Sequence, residues 1–375
     1  MVAANEGNSR VVQLLLSKGA NMSMADCDGF TALIAAALAG NLAVVGLLTA
    51  AGADLEARTR EGATPLVMAV VAGHSSIIEA LAHAGSNVDC RRPDGATPLI
   101  EAALRGRVSP IRALLRANAN PQIKWTDASG AVGVALDVAA QHGHSHAVRE
   151  LIEQLGVKGC GGPSGGNEAL RWAAQEQHVG IMTMLIEAGV IDRGTALIAA
   201  VQYGRVASAK LLLQQRQQQQ HETVNSRDVC GRTPLVCAIL FATSAKIASM
   251  LVDAGATTGS AVAVTNATGM VVFNGTPLVL ASSILDQKMI AGRDATEEQL
   301  HGLQGIRRLL LRVEAVHAVS WLWLSRAPAL PVPAGGDRRG TATSTPLNAI
   351  SPIMKRRVAR RGRLLTTLFR HSVKP

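Results

Sequence analysis

The side chains best suited to chemistry are three histidines packed into His142-Gly-His144-Ser-His146. Imidazoles at this density are zinc ligands in other settings, but a structural zinc site takes four nitrogen or sulfur ligands. No fourth ligand stands at a recognised spacing, and the three side chains straddle a turn. The cysteines Cys27, Cys90, Cys160, Cys230 and Cys237 show no CxxC spacing and leave an odd one out. They read as free thiols of a reducing compartment. Residues 159–166 are glycine-rich but lack the Gly-Lys-Ser/Thr that a phosphate-binding loop requires. No nucleophile–base pair and no paired carboxylates have a catalytic spacing. Catalysis, a cofactor and a small-molecule substrate are therefore not expected.

The other chemistry is electrostatic. The last 50 residues carry 11 Lys and Arg against Asp337 alone, whereas residues 1–325 hold 26 basic and 26 acidic side chains. The formal net charge of +10 is thus the charge of the tail. Within it Lys355, Arg356, Arg357, Arg360, Arg361 and Arg363 form one run, followed by the apolar-basic stretch at 364–370. Such a run suits a nuclear-import signal, a contact with nucleic acid, or an amphipathic contact with an anionic membrane. It equally suits a solvated tail with no partner. Residues 327–340 are rich in Pro and Gly and read as a disordered linker.

The elements that must position any site are set by a period. Gly7, Gly40, Gly73 and Gly106 stand 33 residues apart. Thr31, Thr64 and Thr97 keep the same step, as do Ala36, Ala69 and Ala102. So do Leu15, Leu48, Leu81 and Leu114, and the aliphatics Val12, Val45, Ile78 and Ile111. A period of this size marks stacked repeats. One copy, residues 61–85, reads as a turn, a short helix begun by Thr64-Pro65, a break at Gly73 and a second helix closed by Gly85. Aromatics are only 2% of the chain and hydrophobics 48%. That composition suits thin aliphatic and alanine-rich helix layers better than one large core.

The motifs Asp28-Gly-Phe-Thr-Ala-Leu33, Glu61-Gly-Ala-Thr-Pro-Leu66, Asp94-Gly-Ala-Thr-Pro-Leu99 and Cys230-Gly-Arg-Thr-Pro-Leu235 resemble the ankyrin repeat. So do second-helix endings such as Leu251-Val-Asp-Ala-Gly-Ala256. The histidine usual after the motif's Leu is replaced by Ile34, Val67, Ile100, Asp137, Arg171, Ile198 and Val236, which bears on stability. The resemblance implies an all-α ankyrin-repeat solenoid of helix-turn-helix units with short hairpin-like turns, ahead of the disordered basic tail. It also accounts for Gly143-His144 as the counterpart of Gly73-His74.

The register gives about nine units. Residues 1–157 hold repeats one to five, the first incomplete because residues 1–7 align with 34–40. More repeats before it, or a partner over that end, are expected to cover it. The fifth unit arrives four residues late. Residues 158–166 read as a Gly-rich linker, and 167–325 as degenerate repeats six to nine with a capping helix at 313–324. Residues 217–220 are a glutamine run.

The resemblance further implies a protein-interaction scaffold whose partner, unidentified, meets the turn tips and the inner face of the first helices. The tips offer Phe30, Arg60, Glu61, Arg92 and Asp94. The inner positions offer Leu38, Val71, Leu104, Arg105, Gln141, His142, Trp172, Gln175 and Tyr203. Leu38, Val71 and Leu104 share the 33-residue step, so they form either an apolar partner stripe or a seam covered by neighbouring turns. Trp172 is either an interface anchor or a residue of the stack. An adaptor addressed by its tail and a regulatory portion of a larger enzyme are the other readings. The N-terminus lacks a secretory pattern, and no stretch suits a membrane span, so a cytoplasmic or nuclear location is expected.

Overall fold

A computed structural model describes residues 1–325, apart from 128–129, 131, 162–164, 193, 215–222, 242–243, 260–261, 266–270 and 292–296. The basic run from Lys355 to Arg363 and the glutamine run lie outside the described residues. Residues Met1–Arg307 make one compact unit, and a second begins at Arg308.

In the first unit, helices come in pairs: α1 (Val2–Asn5) with α2 (Ser9–Ser17), α3 (Ala32–Ala39) with α4 (Leu42–Ala50), α5 (Pro65–Ala72) with α6 (Ser75–His83), and α7 (Pro98–Leu104) with α8 (Val108–Arg116). A hairpin of β1 (Trp125–Thr126) and β2 (Val132–Gly133) follows. It pairs Trp125 with Gly133 and Thr126 with Val132 in antiparallel register. Then come α9 (Ala135–Gln141) with α10 (Ser145–Cys160), α11 (Asn167–Gln175) with α12 (Val179–Glu187), α13 (Thr195–Gln202) with α14 (Val206–Gln214), and α15 (Pro234–Leu240) with α16 (Ala245–Asp253). A second antiparallel hairpin, β3 (Val262–Thr265) and β4 (Val271–Gly275), precedes α17 (Pro277–Ala291) and α18 (Glu297–Ser325). The expected second helix near 299–311 and the expected capping helix at 313–324 are one continuous element, α18.

Four first helices start at the threonine where the motif places it. The hydroxyls of Thr31, Thr64, Thr97 and Thr233 accept from the amides of Ile34, Val67, Ile100 and Val236 at 3.3, 3.4, 3.4 and 3.4 Å. Each thus satisfies an amide that the first helical turn leaves open. The seventh unit departs from this scheme. Gly194, not Thr195, is its N-cap residue, and the Asp192 carboxylate accepts from the amides of Gly194, Ala196 and Leu197 at 2.8, 3.1 and 3.0 Å.

The helices pack into two layers. First helices stack in the series α1, α3, α5, α7, α9, α11, α13, α15 and α17, and second helices from α2 to α16. Leu33, Leu66, Leu99, Leu136, Leu170, Leu197 and Leu235 are each at most 1% exposed between them. Burying such a side chain contributes about 1.5–3 kcal/mol. Ala36, Ala69 and Ala102 are fully buried where the layers meet, so larger residues there would push the layers apart. Both layers pass across residues 158–166: α9 packs on α11 and α10 on α12. Gly156, with φ of 65° and ψ of 164°, breaks the helix, and Lys158, Gly159 and Cys160 lie in the short helical turn that follows it. Gly161 is buried, and a Cβ on it would overlap the Gly166 backbone, so glycine here makes a tight turn.

A ladder of side chain to backbone bonds ties each unit to the one before. Asn41 Nδ2 donates to the Ala4 and Asn5 carbonyls, both at 2.8 Å. A ring N–H of His74 donates to Leu38 O at 3.2 Å, Arg107 Nη2 to Val71 O at 3.5 Å and a ring N–H of His144 to Leu104 O at 2.9 Å. His178 donates to Gln141 O at 3.2 Å, and Arg205 Nε to Gln175 O at 2.7 Å. Asn41 and the histidines lie over the preceding inter-helix glycine: a Cβ on Gly7, Gly40, Gly106 or Gly143 would come within 2.8 Å of one of them. Those glycines are also left-handed, as is Gln177, which occupies the same turn with φ of 65°. Left-handed backbone costs an L-residue about 1–2 kcal/mol, partly offset by glycine's greater freedom when unfolded. Gln177→Gly is therefore expected to stabilise the protein by roughly 0.5–1 kcal/mol. A raised urea midpoint with an unchanged slope would verify this, and a lowered midpoint would refute it.

Candidate functional site

The inner ends of the first helices carry one side chain per unit at the position two before each inter-helix turn. In chain order these are Leu38, Val71, Leu104, Gln141, Gln175 and Gln202. All are half-buried, and five of them supply the carbonyls of the ladder through Gln175. The row therefore changes from aliphatic to amide at the fifth unit. Val71 also leans on the buried cluster of Ala63, Val67 and Cys90. Tyr203 is 50% exposed.

The tips stack on one another. Arg60 N donates to Asp28 O at 2.8 Å, Arg58 Nη1 to Arg91 O at 2.9 Å and Trp125 Nε1 to Asp94 O at 3.0 Å. Phe30 is half-buried, whereas Arg60 and Glu61 are exposed. Arg92 is turned inward. Its guanidinium meets Asp94 at 2.9 Å and Glu101 at 3.1 Å, and Glu101 also receives Arg105 Nε at 2.6 Å. The Glu101 side chain is 3% exposed and holds both arginines in fixed directions. Glu101 is absent from the expected set, although its i,i+4 spacing to Arg105 is a legible signal.

The four-residue delay before the fifth unit is spent on the β1–β2 hairpin, which stands beside α9 and α11. Between them lies a small cleft of about 10 Å³, room for no more than a water, lined by Trp125, Asp127, Val132, Gly133, Asp137, Val138, Gln141 and Trp172. Trp172 is half-buried, with the Arg171 guanidinium 4.1 Å from its ring centre. Asp137 is 4% exposed. Its Oδ2 accepts from the Val134 amide at 3.0 Å, closing the start of α9, while its Oδ1 has no hydrogen-bond partner. Burial pushes the Asp137 carboxyl up to about 7. The Val134 amide pulls against this, Glu168 adds to it, and Arg171 opposes it. The Ala169 amide also pulls it down.

His142 and His144 are stacked, 6.2 Å between ring centres. Each spends a ring N–H on a carbonyl, His142 on Val138 O at 2.9 Å and His144 on Leu104 O. Among the described residues no group of three or more His, Cys, Asp and Glu could hold a metal ion. Cys27, Cys90, Cys230 and Cys237 are free thiols. Burial pushes the thiol of Cys237 up to about 12 and raises that of Cys90. Both are thereby kept from the reactive thiolate form. No described helix is long and apolar enough to cross a membrane.

The family comparison agrees with the repeat geometry of the first units. A family model described as ankyrin repeats (three copies) matches residues 1–92 and 59–125. No curated protein matches the chain. Among solved structures, the chain is similar to the ankyrin repeat domain of human ASB11. The two are 22% identical with a TM-score of 0.46, over 67% of this chain and 95% of that one.

Proposed function

Because the chain belongs to the ankyrin-repeat family, we propose that it is a protein-binding scaffold, engaging its partner along the exposed side of the first-helix layer and the adjoining tips. The observation that carries this reading is the row of Leu38, Val71 and Leu104. Three aliphatic side chains, none fully covered, recur once per unit on neighbouring helices. The exposed residues Arg60 and Glu61, and the fixed pair Arg92 and Arg105, give a charged border beside this apolar row. An apolar centre with a polar rim is the usual composition of a protein interface. Trp172 and Tyr203 add large aromatics, which dominate interface energies. The charge partition of the sequence further supports the run at 355–363 as an address to nucleic acid or an anionic membrane in the cytoplasm or nucleus.

Replacing Leu38, Val71 and Leu104 together with serine should lower capture of the partner by at least about tenfold, since a few interface residues carry most of the binding energy. The helical circular dichroism should persist. A folded triple variant that captures the same proteins at the same yield would refute the reading.

A further inference from the structure

We propose that the β3–β4 hairpin is a dimerisation edge, on which the outer side of β3 pairs antiparallel with β3 of a second copy of this chain. The inference is independent of the scaffold reading. It begins with chain length. Gly52 and Thr64 stand 12 residues apart, as do Gly85 and Thr97, whereas Gly255 and Thr276 stand 21 apart. The nine extra residues (21 against 12) enlarge this tip into β3 (Val262–Thr265) and β4 (Val271–Gly275). Among the described strands these two pair only with each other. A strand paired on one side leaves alternate amides and carbonyls unspent on the other.

The register decides which edge is used. Val264 pairs with Phe273 and Thr265 with Val271, so Val272 is an extra residue on β4 and bends that strand. A bulge of this kind turns an edge away from further pairing, whereas β3 keeps an unbroken run of four residues. Proteins also guard open edges with lysine, other charges or proline. Neither strand holds any of these, and residues 254–285 contain no Asp, Glu, Lys, Arg or His. Val262, Val264 and Thr265 are β-branched, a type that favours strands. This neutrality selects the occupant. Two copies of a charged strand repel when laid side by side, but two copies of Val262-Ala-Val-Thr265 do not. Identical antiparallel strands are related by a two-fold axis, so each chain contributes the same four residues and the contact closes at two chains. Pairing also turns a two-stranded ribbon, marginal by itself in water, into four strands in the order β4-β3-β3-β4.

The test is sedimentation equilibrium of the full chain from about 5 to about 300 µM, in about 0.15 M salt to screen exposed charges. The mass should rise from 39.0 kDa toward twice that value. The dissociation constant should be on the order of tens of micromolar, as suits a small interface. Two double variants are compared, Ala263→Lys with Val264→Lys and Ala263→Glu with Val264→Glu. Each should weaken association by at least about tenfold, because like charges then lie close together across the axis. An equimolar mixture of the two should associate again, with one copy of each in the dimer. Hydrogen exchange of the unmodified chain gives a second readout that needs no variant to fold. The amides of residues 262–265 should exchange at least about threefold more slowly at the highest concentration than at the lowest, with α3, α5 and α7 unchanged. A monomer at every concentration would overturn the proposal and leave the edge to a strand of another protein. A dimer that survives both double variants, folded variants that stay monomeric when mixed, or β3 exchange independent of concentration would overturn it as well.

Discussion

Asp137→Asn is expected to stabilise the protein by about 4 kcal/mol at pH 8, with the gain vanishing near pH 4. The wild-type carboxyl has an ordinary value of 3.8 and is pushed to about 7 in the folded chain, chiefly by burial. Between those two pH values the folded protein keeps a proton that the unfolded chain has lost. Asp137 therefore favours folding fully below pH 3.8. That contribution is lost as pH rises toward 7, and above 7 the buried charge penalises folding in full. Each pH unit of the window is worth about 1.4 kcal/mol. Asparagine has nearly the same shape, can accept the Val134 amide, and does not titrate. Urea unfolding of both proteins at pH 4, 6 and 8 measures the difference. A gap that stays constant with pH would contradict the account of Asp137 as a carboxyl raised by burial.

Glu101→Ala is expected to cost about 2–3 kcal/mol, while Arg105→Ala costs less than about 1 kcal/mol. The asymmetry follows from burial. The Glu101 side chain is 3% exposed, Arg92 26% and Arg105 44%. Removing Glu101 leaves the Arg92 guanidinium turned into the protein with Asp94 alone, and removing one member of a buried pair leaves a charge without compensation. Partial solvation of both arginines keeps the loss below that of a fully buried pair. Removing Arg105 leaves Glu101 still bonded to Arg92, and Arg105 itself is well hydrated. Replacing Arg92 and Glu101 together with Met and Leu should recover most of the loss. Chemical denaturation of the wild type and the three variants tests the order, and equal costs for Glu101→Ala and Arg105→Ala would contradict it.

The period made the helix layers legible. Thr31, Thr64 and Thr97 cap first helices at the expected positions, and the Gly-His pairs proved to be two halves of a joint between units, ring over glycine. That joint also explains His144, whose metal-like setting comes from the repeat. The legible signals were local: a cap, a break and an apolar period each depend on residues within one helix turn of one another. Contacts set by neighbouring units were not legible. Nothing adjacent in sequence shows that Trp125 reaches back to Asp94 O or that Arg112 pairs with Glu150. The delay before the fifth unit was visible, but its outcome, the hairpin that makes a cleft with Asp137 and Trp172, depends on helices nearly 50 residues away from Trp125. Asp137 stood out in sequence only as a missing histidine. Its carboxyl chemistry arises because α11 and the hairpin take water away from it.

The most direct test of the scaffold account is hydrogen–deuterium exchange of the full chain, free and bound to the partner it captures. Binding is expected to slow exchange in the tips around residues 28–30, 60–62 and 92–95 and at the C-terminal ends of α3, α5, α7, α9 and α11. The second helices should change little. Protection confined to α4, α6, α8 and α10, with the tips and first helices unchanged, would place the partner on the opposite layer and contradict the account.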